Sequence, residues 1–163
     1  MTYIGYQALI IALVLSLYAT ILFFAAGRKP FSKYIASAQR AVIAVAVLVV
    51  IASIALWYAL FTRDFQIEYV AHYSNRALPW FYTIAAFWAG QAGSLLFWGL
   101  LLALFSVIVL AQNYKKNSEL LPITLGIMSA TTFFFLYLLV FKSNPFARLA
   151  FLPPDGQGLN PLL

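Results

Sequence analysis

Few side chains in this sequence can do chemistry. The 163-residue chain holds one histidine, four acidic residues and no cysteine. His72 is a conceivable axial ligand for a haem iron, since a single imidazole suffices for one such bond. It sits among Tyr73, Ser74 and Asn75, however, and a solvated loop histidine is the favoured reading. Asp64 and Glu68 are the closest carboxylates, and Arg63 beside them marks an exposed charged loop rather than an acid–base pair. The lack of cysteine excludes disulfides, thiolate metal sites and thioether attachment of haem to this chain. There is no zinc-protease helix, phosphate-cradling glycine loop, nucleophile elbow or Cys/His cluster. No catalytic, metal-binding or cofactor-binding residue is therefore assigned here.

Two other residue sets are distinguished by spacing. In Trp88-Ala89-Gly90-Gln91-Ala92-Gly93-Ser94-Leu95-Leu96-Phe97-Trp98, the residues Trp88, Gln91, Leu95 and Trp98 fall on one helical face. Ala86/Gly90, Ala89/Gly93 and Gly90/Ser94 are small pairs four apart, the spacing that lets helix backbones approach closely in a membrane. A close helix–helix contact with interfacial tryptophan anchors is the reading this supports. The second set is the C-terminal run Lys142-Ser143-Asn144-Pro145-Phe146 followed by Pro153-Pro154-Asp155-Gly156 and Leu159-Asn160-Pro161-Leu162-Leu163. Its X-Pro steps and glycines predict turns rather than helix.

The elements that must position these residues are membrane-spanning. The chain is 64% apolar and 9% charged with a mean hydropathy of +0.92, against about a quarter charged in a soluble domain. An ordinary cytosolic enzyme is excluded. A bilayer-crossing helix needs roughly 20 apolar residues, and four runs qualify, at about 6–26, 41–61, 89–112 and 121–141. Val and Ile crowd the second, yet helix is expected because backbone groups in lipid must pair within their own segment. Leu78-Pro79-Trp80-Phe81-Tyr82 reads as an aromatic interfacial lead-in to the third. The first run has no cationic start and is too long for a secretory signal, so it reads as a retained helix. The expected architecture is all-α, a single membrane domain over 1–163 with a loop at about 63–79 and a tail at 142–163 on one side. The loop's opening, Asp64 to Val70, alternates apolar and polar residues and predicts an extended segment.

Charge placement predicts orientation. Arg28, Lys29, Lys33, Arg40, Lys115 and Lys116 flank one set of helix ends, while Arg63, Arg76, Lys142 and Arg148 share the other with Asp64, Glu68 and Asp155. The positive-inside rule then places the first set in the cytoplasm and the N-terminus, loop and tail outside. Although the net charge is +6, the cations are too dispersed for a nucleic-acid patch, and no nucleic-acid partner is expected.

Taken in order, these motifs resemble the CcmF/NrfE family of cytochrome c-type biogenesis proteins. Asp64-Phe65, Tyr69-Val70 and Ser74-Asn75-Arg76-Ala77-Leu78-Pro79 resemble its first outer loop. Trp88, Gln91, Gly93, Ser94 and Trp98 fit its W-x-x-x-x-G-S-L-L-x-W helix. Asn144-Pro145-Phe146, Asp155-Gly156 and Asn160-Pro161 resemble the loop after its fourth helix. One departure is Ala92, where the family often carries Glu, so an acidic role at that position is not implied.

The resemblance implies the N-terminal portion of a bacterial inner-membrane haem-lyase subunit. It implies a b-type haem in the complete protein, with the haem-holding histidines and tryptophan-rich loop beyond the point matching Leu163. Implied partners are that C-terminal portion, the haem chaperone CcmE, CcmH and CcmI, apocytochrome c and the lipid bilayer. The reading without the resemblance is a small scaffold subunit of a respiratory or transport complex. A channel is disfavoured because the spans hold no buried charge.

Overall fold

A computed structural model describes residues 2–25, 32–113 and 120–159. Six α-helices occur in it: α1 (Thr2–Ala25), α2 (Ile35–Phe61), α3 (Glu68–Tyr73), α4 (Trp80–Ala86), α5 (Gln91–Asn113) and α6 (Leu120–Phe141). A single 3-10 turn, Ser32–Tyr34, leads into α2. Four of these helices, α1, α2, α5 and α6, are long and apolar enough to cross a membrane. Each matches an expected span. The largest difference is at α2, which starts at Ile35 rather than near 41 and so carries Gln39 and Arg40 within the helix.

The four long helices form a ring in which α1 packs on α2 and α6, and α5 packs on α2 and α6. Lipid tails are as apolar as leucine, so the ring cannot be held by apolar burial alone; it depends on close backbone approach. Small residues supply that approach. Ala8, Ala12 and Ala19 of α1 and Ala38, Ala41, Ala46, Ala52, Ala55 and Ala59 of α2 are all buried. Gly126 of α6 faces the Phe23 and Phe24 side chains of α1. Larger side chains such as Ile54, Phe105 and Phe134 point outward, as the lipid-facing side of a span requires.

Four buried hydroxyls of the ring are satisfied locally. Ser16 donates to the Leu13 carbonyl (2.8 Å), Ser53 to Val49 (2.8 Å), Ser106 to Leu102 (2.7 Å) and Thr132 to Met128 (2.9 Å). Each bond stays inside its own helix, so none ties two helices together. About 10 Å³ of space remains at the centre, between Ser16, Val45, Ser106 and Thr132. The bundle is filled, not a pore.

The two short helices and the described part of the tail collect at one end. The start of α1, the ends of α2 and α6 and the start of α5 meet there with α3, α4 and the tail, forming a cap. Gly5 of α1 receives the ring of Phe146 from the tail, and Arg148 lies over the Tyr3 ring at 4.7 Å. The opposite ends carry the Lys33 and Arg40 side chains; Arg28, Lys29, Lys115, Lys116 and Glu119 lie outside the described residues. Because the chain has no cysteine, single introduced cysteines report sidedness directly. Gln157→Cys and Lys33→Cys should react with an impermeant maleimide from opposite faces of sealed membrane vesicles. Labelling of both from the same face would contradict this fold.

A cap woven from the loop and the tail

The cap begins with a sharp stop to α2. Arg63 adopts φ 56°, and the amides of Arg63 and Asp64 reach back to the Leu60 (3.3 Å) and Ala59 (3.1 Å) carbonyls. Together these make a Schellman ending, with an arginine at the left-handed position that glycine usually occupies. The bend aims the guanidinium across the loop. Its two terminal nitrogens donate to Ser74 Oγ and to the Leu78 carbonyl, tying the end of α3 to the approach to α4.

The expected extended segment over 64–70 is only partly present. Phe65 and Ile67 are buried while Gln66 and Glu68 are exposed, and Ile67 forms a single antiparallel bridge with Arg148. That bridge uses Leu149 N donating to Gln66 O (2.8 Å) and Glu68 N donating to Ala147 O (2.9 Å). From Glu68 the chain turns into α3, because burying Tyr69, Val70 and Ala71 together needs helical rather than alternating geometry. His72 and Tyr73, expected in the loop, close this helix.

The tail locks over the far end of α3. Asp155 Oδ1 accepts from the amides of Arg76 (2.9 Å) and Gly156 (2.8 Å). The amides of Gln157 and Gly158 donate to Ala71 O (2.7 Å) and Ser74 O (3.1 Å). Any Cβ at Gly156 would overlap the Ser74 carbonyl, and Gly158 sits at φ +81° beside the Asn75 amide. These two glycines are required by close approach and by a positive φ respectively. Asn144 Oδ1 accepts from the Phe146 amide (2.9 Å), turning the chain where Pro145 is buried and Phe146 meets Gly5 of α1.

Candidate functional site

At the middle of the cap is a break in the run from Ala77 to Tyr114, which holds no charged residue. α4 ends at Ala86 and α5 begins at Gln91, so Phe87, Trp88, Ala89 and Gly90 form a turn. This corrects the sequence expectation at Trp88. It lies before the helix, not on the face of Gln91, Leu95 and Trp98, and its ring packs against Phe97 with centroids 5.8 Å apart. Ala86/Gly90 and Ala89/Gly93 likewise do not share a helix.

A break in an apolar layer leaves backbone groups that only protein can satisfy. Tyr69 satisfies them. Its hydroxyl lies 3.0 Å from the Ala86 and Phe87 carbonyls, to which it donates, and accepts from the Gly90 amide (3.1 Å). Ser94 adds a bond from Oγ to the Trp88 carbonyl (2.7 Å), and the Ser94 amide donates to Gly90 O (2.9 Å). Burial of the Tyr69 phenol, the largest influence on it, raises its pKa above the ordinary range, so it stays protonated and keeps its donor.

The small residues of α5 find their use here. A Cβ on Gly93 would overlap both the Phe87 carbonyl and the Tyr69 hydroxyl, and one on Gly90 would overlap the Tyr73 ring. Gly90 and Gly93 therefore admit two tyrosine rings of α3, which lie 4.8 Å apart, rather than a neighbouring spanning helix. Phe87, fully buried, stacks on Trp57 of α2 at 4.4 Å. The break is thus fixed from below by α2 and from the side by α3.

Beside this plug lies an open cleft of about 400 Å³ between α3, the start of α5, the end of α6 and the tail. Glu68, His72, Gln91, Lys142 and Asn144 contribute its polar groups, and Tyr73 and Phe141 its aromatic ones. His72 and Glu68 are one helical turn apart, and both are exposed. Among the described residues no group of three His, Asp or Glu side chains could hold a metal. The cleft suits recognition of a mixed polar and aromatic surface better than acid–base work.

The sequence-derived positions divide clearly. Gly93 and Ser94 lie against the break, Gln91 and Asn144 line the cleft, Pro145 is buried, and Asp155 and Gly156 hold the tail on α3. Trp98 is 55% exposed on the bundle surface. Asn160 and Pro161 lie outside the described residues. The sequence reading quoted Tyr69 within a motif without giving it a role, and Arg63 only as a loop charge. Neither carries a spacing signal, since their partners are backbone groups many residues away.

No protein-family model matches the chain. It is 42% identical over 109 residues to the cytochrome c-type biogenesis protein CcmF of Pseudomonas fluorescens, covering 66% of this chain and 16% of that protein. It is 35% identical over 161 residues to CcmF of Pseudomonas aeruginosa, covering 98% of this chain and 24% of that one. A solved structure titled cytochrome c heme lyase CcmF superposes with a TM-score of 0.78 at 25% identity, covering 89% of this chain and 24% of that chain. The chain thus spans a quarter or less of the length of these relatives.

Replacing Tyr69 by Phe strands the Gly90 amide and the Phe87 carbonyl, which should cost about 1–3 kcal/mol in an SDS-unfolding titration. Gly93→Leu should prevent the fold from forming. The raised phenol pKa makes the Tyr69 contribution fully present below about pH 10 and lost as pH climbs toward the raised value. An unchanged unfolding midpoint for Tyr69→Phe would refute the plug.

Proposed function

Because this chain is a homologue of the N-terminal portion of the CcmF/NrfE proteins, we propose that it is the N-terminal part of a membrane haem-lyase subunit. In that role it helps attach haem to apocytochrome c during cytochrome c maturation. The observation carrying the proposal is that the match to a relative runs through 98% of the chain, spans and cap together. An accessory subunit built only to hold helices would need the spans but not the interlocked cap.

The division of labour follows from the donor set. His72, the chain's single imidazole, is exposed on the cleft, and the bundle centre offers about 10 Å³ lined by hydroxyl and aliphatic groups. A resident b-type haem held between side chains within the bundle does not fit these residues. Haem is accordingly held by parts of the complete protein outside this chain. What this portion contributes is position: attachment of haem needs the reacting groups aligned, and a rigid platform supplies alignment. Gln91, Gly93, Ser94, Asn144, Pro145, Asp155 and Gly156 shape that platform.

The positive-inside bias supports a cytoplasmic-membrane location with the cap facing outward, toward the compartment where apocytochrome c is processed. CcmE, CcmH, CcmI and the C-terminal portion are the partners this reading entails. The test is purification of the tagged chain from its native membranes, with an absorbance spectrum of the eluate. Co-purification of a second, longer polypeptide carrying b-type haem is the expected result. Recovery of the chain alone, without haem, would overturn the assignment.

A further inference from the structure

Arg40 is the one charged residue of the spans, and no acid among the described residues lies at its end of the bundle. It lies on α2 about 8 Å past the helix start at 1.5 Å per residue, and is exposed. The three acids among the described residues, Asp64, Glu68 and Asp155, all belong to the capped end. A guanidinium at the mouth of a membrane span needs an anion or water, since burial in lipid without either is costly.

The surface around it is shaped to receive something apolar as well. Where α2 and α5 part at the end away from the cap, a groove of about 430 Å³ opens between Ala36, Gln39, Arg40 and Ile43 on one side and Val107, Leu110 and Ala111 on the other. Ala36 and Ala111 are both exposed and too short to close the seam. The walls deeper in are apolar; at the mouth stand a cation and an amide donor. One cation above an apolar trough matches the layout of a phospholipid, with its anionic phosphate at the headgroup level and its acyl chains below.

We propose that this groove binds one anionic phospholipid. Its phosphate pairs with Arg40 and bonds the Gln39 amide, and an acyl chain lies along Ile43, Val107 and Leu110. The guanidinium is suited to this, because its planar fork can bond two phosphate oxygens at once. The lipid would hold α2 and α5 together at the end where no cap braces them.

The test is native mass spectrometry of the full chain, released from detergent after titration with phosphatidylglycerol or with phosphatidylcholine of identical acyl chains. The chain should retain phosphatidylglycerol with about fivefold preference or more, and Arg40→Gln should abolish that preference. Ala111→Leu fills the groove while keeping the cation, and should also lose the lipid. Lys33→Gln, which alters a cation outside the groove, should retain it. Inorganic phosphate should not displace the lipid; displacement would mean an anion site without an acyl-chain groove. Equal retention of the two lipids, or retention unchanged in both Arg40→Gln and Ala111→Leu, would overturn the proposal.

Discussion

The hydroxyl of Tyr69 closes three backbone groups at the break between α4 and α5, and this closure lets a charge-free run of nearly forty residues fold as two helices. Without it, the carbonyl of Phe87 and the amide of Gly90 would sit buried and unpaired, and the Ala86 carbonyl would keep only the Ala89 amide (3.3 Å), at a cost of several kcal/mol together. The chain would then favour one continuous helix, longer than a bilayer is thick. Continuity would carry Trp80, Phe81 and Tyr82 away from the interface and erase the pocket into which the α3 tyrosines fit. Placing α3 depends in turn on the Arg63 bend, and α3 is the surface on which the tail locks. The cap therefore forms as a unit or not at all.

That unity bears on function. A bundle whose helices meet through alanine and glycine has little directional bonding between helices: Ser16, Ser53, Ser106 and Thr132 bond within their own helices, and Tyr18 with Ser37 joins α1 to α2 by an exposed hydroxyl pair (2.9 Å). The cap supplies further ties, since it contacts α1 through Phe146, α2 through Phe87 and the Arg63 turn, and α5 through Gly93. The end of the molecule that carries the cleft is consequently its most cross-linked part. A platform for aligning a cofactor with a protein substrate needs rigidity of this kind more than it needs reactive side chains, and reactive side chains are scarce here.

Much of this was legible in the sequence, and what was not has physical causes. Span positions followed from hydropathy because lipid forces helix whatever the local propensity, as the valine-rich α2 demonstrates. The tail residues Asn144, Asp155 and Gly156 were recognisable as turn formers. The partners of Asp155 and Gln157 were not, because Arg76 and Ala71 lie some eighty residues away and bond through backbone atoms that carry no sequence signature. Glycine spacing in α5 suggested a helix partner, yet the partner is a pair of aromatic rings; both need the same absence of a Cβ. The alternation over Phe65 to Glu68 was real but short, and it gave way once three consecutive residues had to be buried.

The central claim is that the loop and tail form a fixed cap on the bundle rather than loose connections. Site-resolved hydrogen exchange of the full chain in nanodiscs tests it most directly. The amides of Glu68, Gly90, Gln157 and Gly158, each bonded across the cap, should be protected to a degree comparable with amides inside α2. Exchange of these four amides at the rate of an unstructured loop, with the spans still protected, would contradict the account.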